Sequence, residues 1–164
     1  MGVSDTCNPG RISDIFWRII MASKVSIIIP CKEINEETEK CIEECLKLEY
    51  KNFEILVLPD NGNHKNKSKR VRVIAVAGKP SAKRNAAMAR SKGDFYAFID
   101  SDAYPRKDWL KNAMKYFKDE KVGIVGGPNL TPKEAGFWEK ISGRVLANFF
   151  ATLFSNVRYK ISRN

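Results

Sequence analysis

The chain alternates short apolar runs with segments of helical spacing. Five runs have the β-rich composition of buried strands: Val25–Ile29, Phe53–Leu58, Val71–Ala77, Phe95–Ile99 and Val122–Val125. Between them, three segments carry apolar residues at helical spacing: Glu36–Leu48, Ser81–Arg90 with Ser81 as its expected N-cap, and Arg106–Phe117. Continuous apolar runs are typical of strands buried on both faces. The order β-α-β-β-α-β-α-β therefore predicts an α/β sandwich around a mostly parallel sheet.

The segments that flank this alternation have a different pattern. Residues 11–22 are expected to form a short amphipathic helix. Packing against the domain is the favoured interpretation of this helix, and an interfacial membrane helix is the alternative. Phe137–Tyr159 is expected to be a helix with only a thin polar face. Further chain, a partner or lipid must cover such a surface, so this helix either packs under more protein or faces a membrane.

Candidate functional residues lie where the predicted strands end, because ligands of parallel sheets bind beyond the strands' carboxyl ends. Those ends are Pro30–Glu33, Asp60, Ala77–Gly78, Asp100–Asp102 and Gly126–Gly127. Two carboxylates in the triplet Asp100-Ser101-Asp102 can share a divalent cation, since Mg²⁺ prefers oxygen ligands. Taken alone, the triplet is a weak signal, since it is also typical of a turn in which Asp side chains bond locally.

The sequence around this triplet is strongly basic. The 164 residues include 29 Lys and Arg against 19 Asp and Glu, a net charge of +10, and ten basic residues without an acid lie between Asp60 and Asp94. Residues 65–69 are expected to be a solvated surface. Lys83 and Arg84 instead lie in the first turn of a predicted helix, where free N–H groups and the helix dipole favour anions. A carboxylate pair beside a cation-rich helix start is typical of a diphosphate site with a metal on one side and arginine on the other.

Four motifs together resemble the family 2 glycosyltransferases of the GT-A fold. The motifs are Val25-Ser26-Ile27-Ile28-Ile29-Pro30, Asp60 after a strand, Ala82-Lys83-Arg84-Asn85-Ala86-Ala87, and Gly93-Asp94-Phe95-Tyr96-Ala97-Phe98-Ile99-Asp100-Ser101-Asp102. They occur in the family's order within residues 24–130. The family's common opening, Pro-x-Tyr-Asn-Glu, is replaced here by Pro30-Cys31-Lys32-Glu33-Ile34-Asn35, which looks like a subgroup variant.

The resemblance implies a GT-A, Rossmann-like α/β sandwich with a mostly parallel central sheet. Residues 1–23 would be a lead-in with an amphipathic helix, 24–130 the nucleotide-sugar-binding core, and 131–164 the start of an acceptor half. The implied activity is inverting transfer of a sugar from a UDP- or GDP-sugar to a hydroxyl of a saccharide or lipid-linked acceptor, with divalent-metal assistance, as in polysaccharide biosynthesis. No nucleic-acid partner is expected.

The resemblance also implies roles for individual residues. Asp60 would bind the nucleotide base, Arg84 with Lys83 the base or the diphosphate, and Asp100 the ribose or a metal-bound water. Asp102, together with Asp100, would hold Mn²⁺ or Mg²⁺. The full set implied for nucleotide-sugar binding is Pro30, Cys31, Glu33, Asp60, Lys83, Arg84, Asp100 and Ser101. Gly126-Gly127-Pro128 is either an approach for the sugar or a turn that ends a strand.

The catalytic base is not assigned. An inverting transferase needs a base that deprotonates the acceptor hydroxyl, and in the family it is an Asp well downstream of the D-x-D triplet. The acids after Asp102 are Asp108, Asp119, Glu120, Glu134 and Glu139, and none has the expected setting. We therefore expect the chain to be the donor-binding half of a longer enzyme, truncated before its acceptor half and with negligible transfer by itself.

Composition limits the remaining possibilities. A content of 43% hydrophobic and 29% charged residues is globular, and no apolar run reaches the roughly 18 residues of a membrane span. Four scattered cysteines favour a reducing, cytosolic location, with peripheral contact to the inner face of a membrane as an option. Cys41 and Cys45, at helical spacing, are either plain helix residues or half of a metal site.

Two other functions are alternatives. A nucleotidyltransferase typically has a Gly-rich loop after its first strand, and Pro30-Cys31-Lys32-Glu33 has no glycine. A nucleic-acid-binding module built on residues 63–92 would lack aromatic side chains for base stacking and would leave the D-x-D triplet unexplained.

Overall fold

The structure is a computed structural model that describes residues 19–62, 68–131 and 136–146. The chain divides into two compact units, residues 1–122 and 123–164. The strands of the described residues are β1 (Val25–Pro30), β2 (Phe53–Leu58), β3 (Val71–Val73) and β4 (Phe95–Phe98). Their helices are α1 (Glu36–Leu46), α2 (Pro80–Met88), α3 (Trp109–Tyr116) and α4 (Phe137–Leu146). α4 belongs to the second unit, and all the other elements belong to the first.

The strands form one sheet in the order β3-β2-β1-β4, and every pair is parallel. Ile27 of β1 is in register with Ile55 of β2 and with Ala97 of β4. This arrangement confirms the predicted α/β architecture with a parallel sheet. It also brings the carboxyl ends of β1, β2 and β4 to the same edge of the sheet.

β1 and β2 form the centre of the first unit and are buried along their whole length. Ile27 and Ile55 point to a face covered by α1 and α3, whose buried residues include Cys41, Cys45, Leu110 and Met114. Ile28 and Leu56 point to the other face, where they pack against Ala87 of α2. The continuous apolar runs of β1 and β2 are thus explained by burial on both sides.

A hydrogen-bonded network ties the amino ends of the strands together. The buried Glu54 carboxylate accepts from the Ser26 hydroxyl at 2.8 Å and the Lys92 amide at 2.6 Å, and it pairs with Lys24 and Arg72 at 3.4 and 3.5 Å. The Gly93 amide donates to the Ser26 hydroxyl at 3.0 Å. This network joins β1, β2 and the segment that enters β4, at the end of the sheet opposite to the predicted site.

The ends of the helices differ from the sequence expectation in several places. α1 ends at Leu46 rather than Leu48, and α3 begins at Trp109 rather than Arg106. Ser81 is not the N-cap of α2, so that prediction was wrong. Pro80, which needs no N–H partner and has a φ suited to a first turn, begins the helix after Lys79.

Two predicted strands also differ. β3 ends at Val73, although the amides of Ile74 and Val76 still donate to the carbonyls of Val57 and Pro59 at 2.9 Å. The predicted strand Val122–Val125 is wrong, because residues 122–130 have no regular secondary structure. Ile124 is 92% exposed, so this apolar run finds neither a strand partner nor a core in the described residues.

The flanking helices are described only in part. Residues 19–22 are helical, and Ile20 is buried in the core that α1 and α3 also line, whereas 11–18 lie outside the described residues. α4 confirms a helix at its predicted start, and the remainder of Phe137–Tyr159 lies outside them. Within the described residues, no helix is long and apolar enough to cross a membrane.

Candidate functional site

The candidate site lies at the carboxyl edge of the sheet, where backbone bonds continue beyond the strand ends. The Cys31 amide donates to the Leu58 carbonyl at 3.1 Å, and the Asp60 amide donates to the Lys32 carbonyl at 2.9 Å. On the other side of β1, the Ile99 amide donates to the Ile28 carbonyl at 3.2 Å. Backbone hydrogen bonds therefore hold the start of each loop. Cys31, Asp60 and the residues after Ile99 lie at the same edge of the sheet.

Lys83 ties two of these strand ends together. Its side chain is only 3% exposed, and the ammonium lies 2.5 Å from an Asp60 carboxylate oxygen and 2.5 Å from the Cys31 carbonyl oxygen. The hydrogen bond from Lys83 holds the pKa of Asp60 below its ordinary value. The ammonium of Lys83 thus faces into the protein, and its role is to fix the Asp60 carboxylate.

The loop before α2 approaches the same carboxylate. The Gly78 amide lies 3.4 Å from Asp60 Oδ1, and Gly78 has a φ of 125°, a conformation that glycine adopts without strain. Asp60 is therefore approached by Lys83 and Gly78 from one side, while its side chain stays one-third exposed. The exposed part is available to a ligand at the edge of the sheet.

Arg84 and Asp100 form a second pair at this edge. The Arg84 guanidinium bonds an Asp100 carboxylate oxygen at 2.7 Å, and the Asp100 side chain is 70% exposed. Arg84 Nε is buried and has no hydrogen-bond partner within the described part of the chain. A buried donor without a partner is costly, so a conformation of Arg84 in which Nε also finds an acceptor would be more stable.

The D-x-D triplet lies in a tight turn after β4. The Ala103 amide closes the turn by donating to the Asp100 carbonyl at 3.1 Å. Asp102 is exposed, and no hydrogen bond or ion pair engages its carboxylate among the residues described. Ser101 between the two acids is half-buried. The turn therefore presents two carboxylates, one held by Arg84 and one free.

The donor set of this turn fits a hard divalent cation that is shared with a ligand. Asp102 and Asp100 offer carboxylate oxygens, the donors that Mg²⁺ and Mn²⁺ prefer. The described residues contain no group of three or more His, Cys, Asp or Glu that could hold a metal alone. The remaining oxygens would therefore come from water or from a bound ligand.

The other predicted site residues lie around the end of β1. Pro30 is its last residue and is buried, as is Cys31. Burial raises the pKa of the Cys31 thiol to about 11, with Lys83 opposing the shift, so the thiol is protonated at neutral pH. Glu33 is exposed, and its carbonyl accepts from the Thr38 hydroxyl at 3.4 Å near the start of α1.

Other residues singled out from the sequence are not assigned to the site by the described geometry. Gly126, Gly127 and Pro128 are exposed residues of the second unit. Asp108 pairs with Arg106 at 3.1 Å, and Asp119 accepts from the Lys121 amide at 3.0 Å. Glu134 and the Glu139 side chain lie outside the described residues. The geometry assigns none of these acids as a catalytic base.

Sequence reasoning missed two contacts that α1 makes with the D-x-D turn. The Cys41 thiol lies 3.7 Å from the Asp100 carbonyl oxygen, and Lys40 Nζ lies 4.4 Å from the centre of the Tyr104 ring. Cys41 and Cys45 are fully buried helix residues. The helical spacing of the two cysteines was visible in the sequence, but nothing in it indicated what Cys41 would contact.

Comparison with known proteins identifies the family. Residues 26–163 match the sequence pattern of glycosyl transferase family 2. The chain belongs to this family. The resemblance carried by the four motifs is thereby confirmed.

Two relatives show how much of a family 2 protein this chain represents. Glycosyltransferase GlyG of Streptococcus pneumoniae is 23% identical over 138 residues, which are 76% of this chain and 46% of GlyG. The Escherichia coli enzyme WfaP, a UDP-Glc:α-D-GlcNAc-diphosphoundecaprenol β-1,3-glucosyltransferase, is 31% identical over 107 residues, 60% of this chain and 43% of WfaP. The chain spans less than half the length of these two relatives.

Solved structures place the family 2 chain among GT-A folds. S. aureus TarS 1-349 in complex with UDP-GlcNAc matches with a TM-score of 0.58 and 21% identity over 69% of this chain and 36% of TarS 1-349. The mannosyltransferase PcManGT of Pyrobaculum calidifontis, in complex with GDP-Man and Mn²⁺, matches with a TM-score of 0.51 and 15% identity over 76% of this chain and 45% of PcManGT. These similarities show that the fold is GT-A.

Proposed function

We infer that this family 2 chain binds a nucleoside diphosphate sugar and provides the donor site for transfer of the sugar to an acceptor hydroxyl. The observation that carries the proposal is the convergence at one sheet edge of Asp60, Arg84, Asp100 and Asp102. TarS and PcManGT, which share the fold, were solved with UDP-GlcNAc and with GDP-Man.

The base end of the donor would lie at the carboxyl ends of β1 and β2. Lys83 holds one Asp60 oxygen, so the carboxylate has a fixed orientation in which its exposed part can accept from a base N–H. Pro30 ends β1, Cys31 and Glu33 follow it, and all three would border the base and ribose. Lys83 would then act by orienting Asp60, because its ammonium is already engaged by Asp60 and the Cys31 carbonyl.

The diphosphate end would lie between Arg84 and the D-x-D turn. Arg84 supplies a planar donor group suited to phosphate oxygens. Asp102, with Asp100 and the adjoining Ser101, would hold Mn²⁺ or Mg²⁺ beside the diphosphate. A divalent ion bound there supplies Lewis-acid neutralisation of the departing nucleoside diphosphate. Asp100 would orient Arg84 and the turn through the 2.7 Å bond.

The acceptor is the molecule whose hydroxyl receives the sugar. An inverting transfer to a saccharide or lipid-linked hydroxyl, as in polysaccharide biosynthesis, is the form that we propose. It is supported by the relative WfaP, whose name includes a diphosphoundecaprenol acceptor. Phe137 and Trp138 of α4 are 71% and 76% exposed beside Lys140 and Arg144, a composition suited to peripheral contact with a membrane surface.

A thermal-shift panel tests the donor proposal. UDP, GDP and TDP are each added to the 164-residue chain with and without Mn²⁺. We expect at least one nucleoside diphosphate to raise the Tm in the presence of Mn²⁺ and to raise it less without the metal, because binding to the folded state stabilises it. If none of the three changes the Tm under either condition, the donor proposal is wrong.

A further inference from the structure

Helix α1 contacts the D-x-D turn through Cys41, which lies 59 residues before Asp100 in the sequence. The fully buried Cys41 thiol lies 3.7 Å from the Asp100 carbonyl oxygen, which also accepts from the Ala103 amide at 3.1 Å. Asp100 is therefore held at both ends: Arg84 bonds its carboxylate, and Cys41 and Ala103 bond its carbonyl.

Lys40, the residue before Cys41 in α1, contacts Tyr104, which follows the D-x-D turn. Lys40 Nζ lies 4.4 Å from the centre of the Tyr104 ring, two residues after Asp102. This distance is within the range of a favourable cation–π contact. Because Lys40 and Cys41 are adjacent, a single turn of α1 contacts the D-x-D segment on both sides of the free Asp102 carboxylate.

α1 is itself fixed at this end. The Asn35 side chain caps the helix by accepting from the Thr38 amide at 2.9 Å. Cys41 and Cys45 are packed against the sheet. The part of α1 that contacts the D-x-D turn is therefore held by its N-cap and by its packing on the sheet. A binding site needs such support when a carboxylate must lie at a defined distance from a ligand.

We propose that Lys40 and Cys41 are positioning residues that hold the D-x-D turn, and that through it they govern binding of the metal and diphosphate but not of the base. The binding part of this inference rests on the proposed function. Neither side chain touches the ligand. Their effect passes through Asp100 and Tyr104 to the orientation of Asp102.

The variants that test this role are Lys40→Met, Lys40→Arg and Cys41→Ala. Lys40 is exposed, so its replacement leaves the core intact, and Arg retains the cation over Tyr104. Lys47→Met is the matched control, because it removes a lysine at the C-cap of α1 that pairs with Glu44 at 2.7 Å.

The first measurement needs no ligand. Hydrogen exchange of the peptide that contains residues 99–105 is compared with that of β2. We expect Lys40→Met and Cys41→Ala to exchange several-fold faster at 99–105, with β2 unchanged, while Lys40→Arg and Lys47→Met behave as the wild type. Equal exchange at 99–105 in Cys41→Ala, Lys40→Met and the wild type would show that α1 does not hold the turn.

The second measurement separates the two ends of the donor. Affinity is measured for the one of UDP, GDP and TDP that binds the wild type best with Mn²⁺. It is also measured for the matching nucleoside monophosphate without metal. We expect Lys40→Met to weaken diphosphate binding about 3-fold, the range of an exposed cation–π contact. Cys41→Ala should weaken it about 3- to 10-fold, as for one lost hydrogen bond. Monophosphate affinity should not change, and Lys40→Arg should restore diphosphate affinity.

The outcomes distinguish this inference from the proposed function. If the wild type binds a diphosphate and both variants bind it equally well, or lose the monophosphate to the same extent, the positioning role is wrong. If the wild type binds none of UDP, GDP and TDP, the donor proposal fails, and the exchange measurement still decides whether Lys40 and Cys41 hold the turn.

Discussion

At the scale of single residues, the candidate site depends on basic side chains with different tasks. Lys83 and Arg84 are adjacent in the sequence, but Lys83 is buried against Asp60 and the Cys31 carbonyl, whereas Arg84 reaches Asp100 and keeps an unpartnered Nε. The sequence indicated that both cations would lie at the start of α2. It could not show which ammonium or guanidinium turns inward, because that depends on the contacts of Asp60.

Replacing Lys83 tests its inward role. We expect Lys83→Met to lower the free energy of unfolding by on the order of 2 kcal/mol, because two hydrogen bonds from a charged group are lost. Urea denaturation of the unliganded chain measures the change. Lys79→Met is the control: Lys79 is exposed at the N-cap and makes no side-chain capping bond, so its loss should change stability by less than about 0.5 kcal/mol. Equal stability of Lys83→Met and the wild type would contradict this assignment.

At the scale of elements, the parallel sheet is what sequence patterns predicted best. The runs of β1 and β2 are apolar throughout because both of their faces are buried. The same reasoning failed for Val122–Val125, where the apolar run finds no partner strand among the described residues. It also could not anticipate the contacts of Lys40 and Cys41, because these join residues far apart in the sequence. An apolar run thus predicts a strand only where a neighbouring strand is available.

The segment that enters β4 must pass close to β1. A Cβ added at Gly93 would lie 2.5 Å from the Ser26 hydroxyl oxygen and 2.6 Å from the Ser26 amide nitrogen. We therefore expect Gly93→Ala to destabilise the chain by about 1–3 kcal/mol in urea unfolding, through steric conflict with backbone. The control Gly123→Ala has no atom within 4 Å of the added Cβ and should be close to neutral. A similar loss of unfolding free energy in Gly93→Ala and Gly123→Ala would argue against this close packing of Gly93 on Ser26.

The network at the amino ends of the strands predicts a pH dependence. Burial alone raises the pKa of Glu54, but bonds from Lys92 and Ser26 and the charge of Lys24 outweigh it and bring the pKa below its ordinary value of 4.5. The Glu54 carboxylate therefore stabilises the fold fully at pH values above its ordinary pKa of 4.5. This stabilisation is lost as the pH falls through the lower pKa of the folded state.

Comparison of the wild type with Glu54→Gln measures this effect. At about pH 7 we expect the variant to be less stable by on the order of 1–3 kcal/mol, since a bonded, buried carboxylate is replaced. Urea unfolding at decreasing pH should bring the two curves together in acid. The exposed Glu120→Gln serves as the control and should match the wild type at every pH. A gap between wild type and Glu54→Gln that is constant with pH would refute the assignment.

At the scale of the whole molecule, the excess positive charge is partly accounted for by internal pairs. Within the basic interval, Arg72 pairs with Glu54, Lys83 with Asp60 and Arg84 with Asp100. The last two of these pairs lie at the carboxyl edge of the sheet, where we propose that a nucleotide sugar binds. The charge thus supports a small anionic ligand more directly than a nucleic acid.

Metal-dependent binding of a diphosphate should depend most directly on the Asp102 carboxylate, which has no partner among the described residues. The measurement is calorimetric titration of the wild type and Asp102→Asn with the best-binding nucleoside diphosphate, in the presence and absence of Mn²⁺. Asp119→Asn is the control, an exposed Asp that lies outside the site. We predict that Asp102→Asn loses at least about tenfold in affinity with Mn²⁺, or about 1.4 kcal/mol, with unchanged metal-free affinity and Tm. Undiminished Mn²⁺-dependent affinity in Asp102→Asn would contradict the proposed donor site.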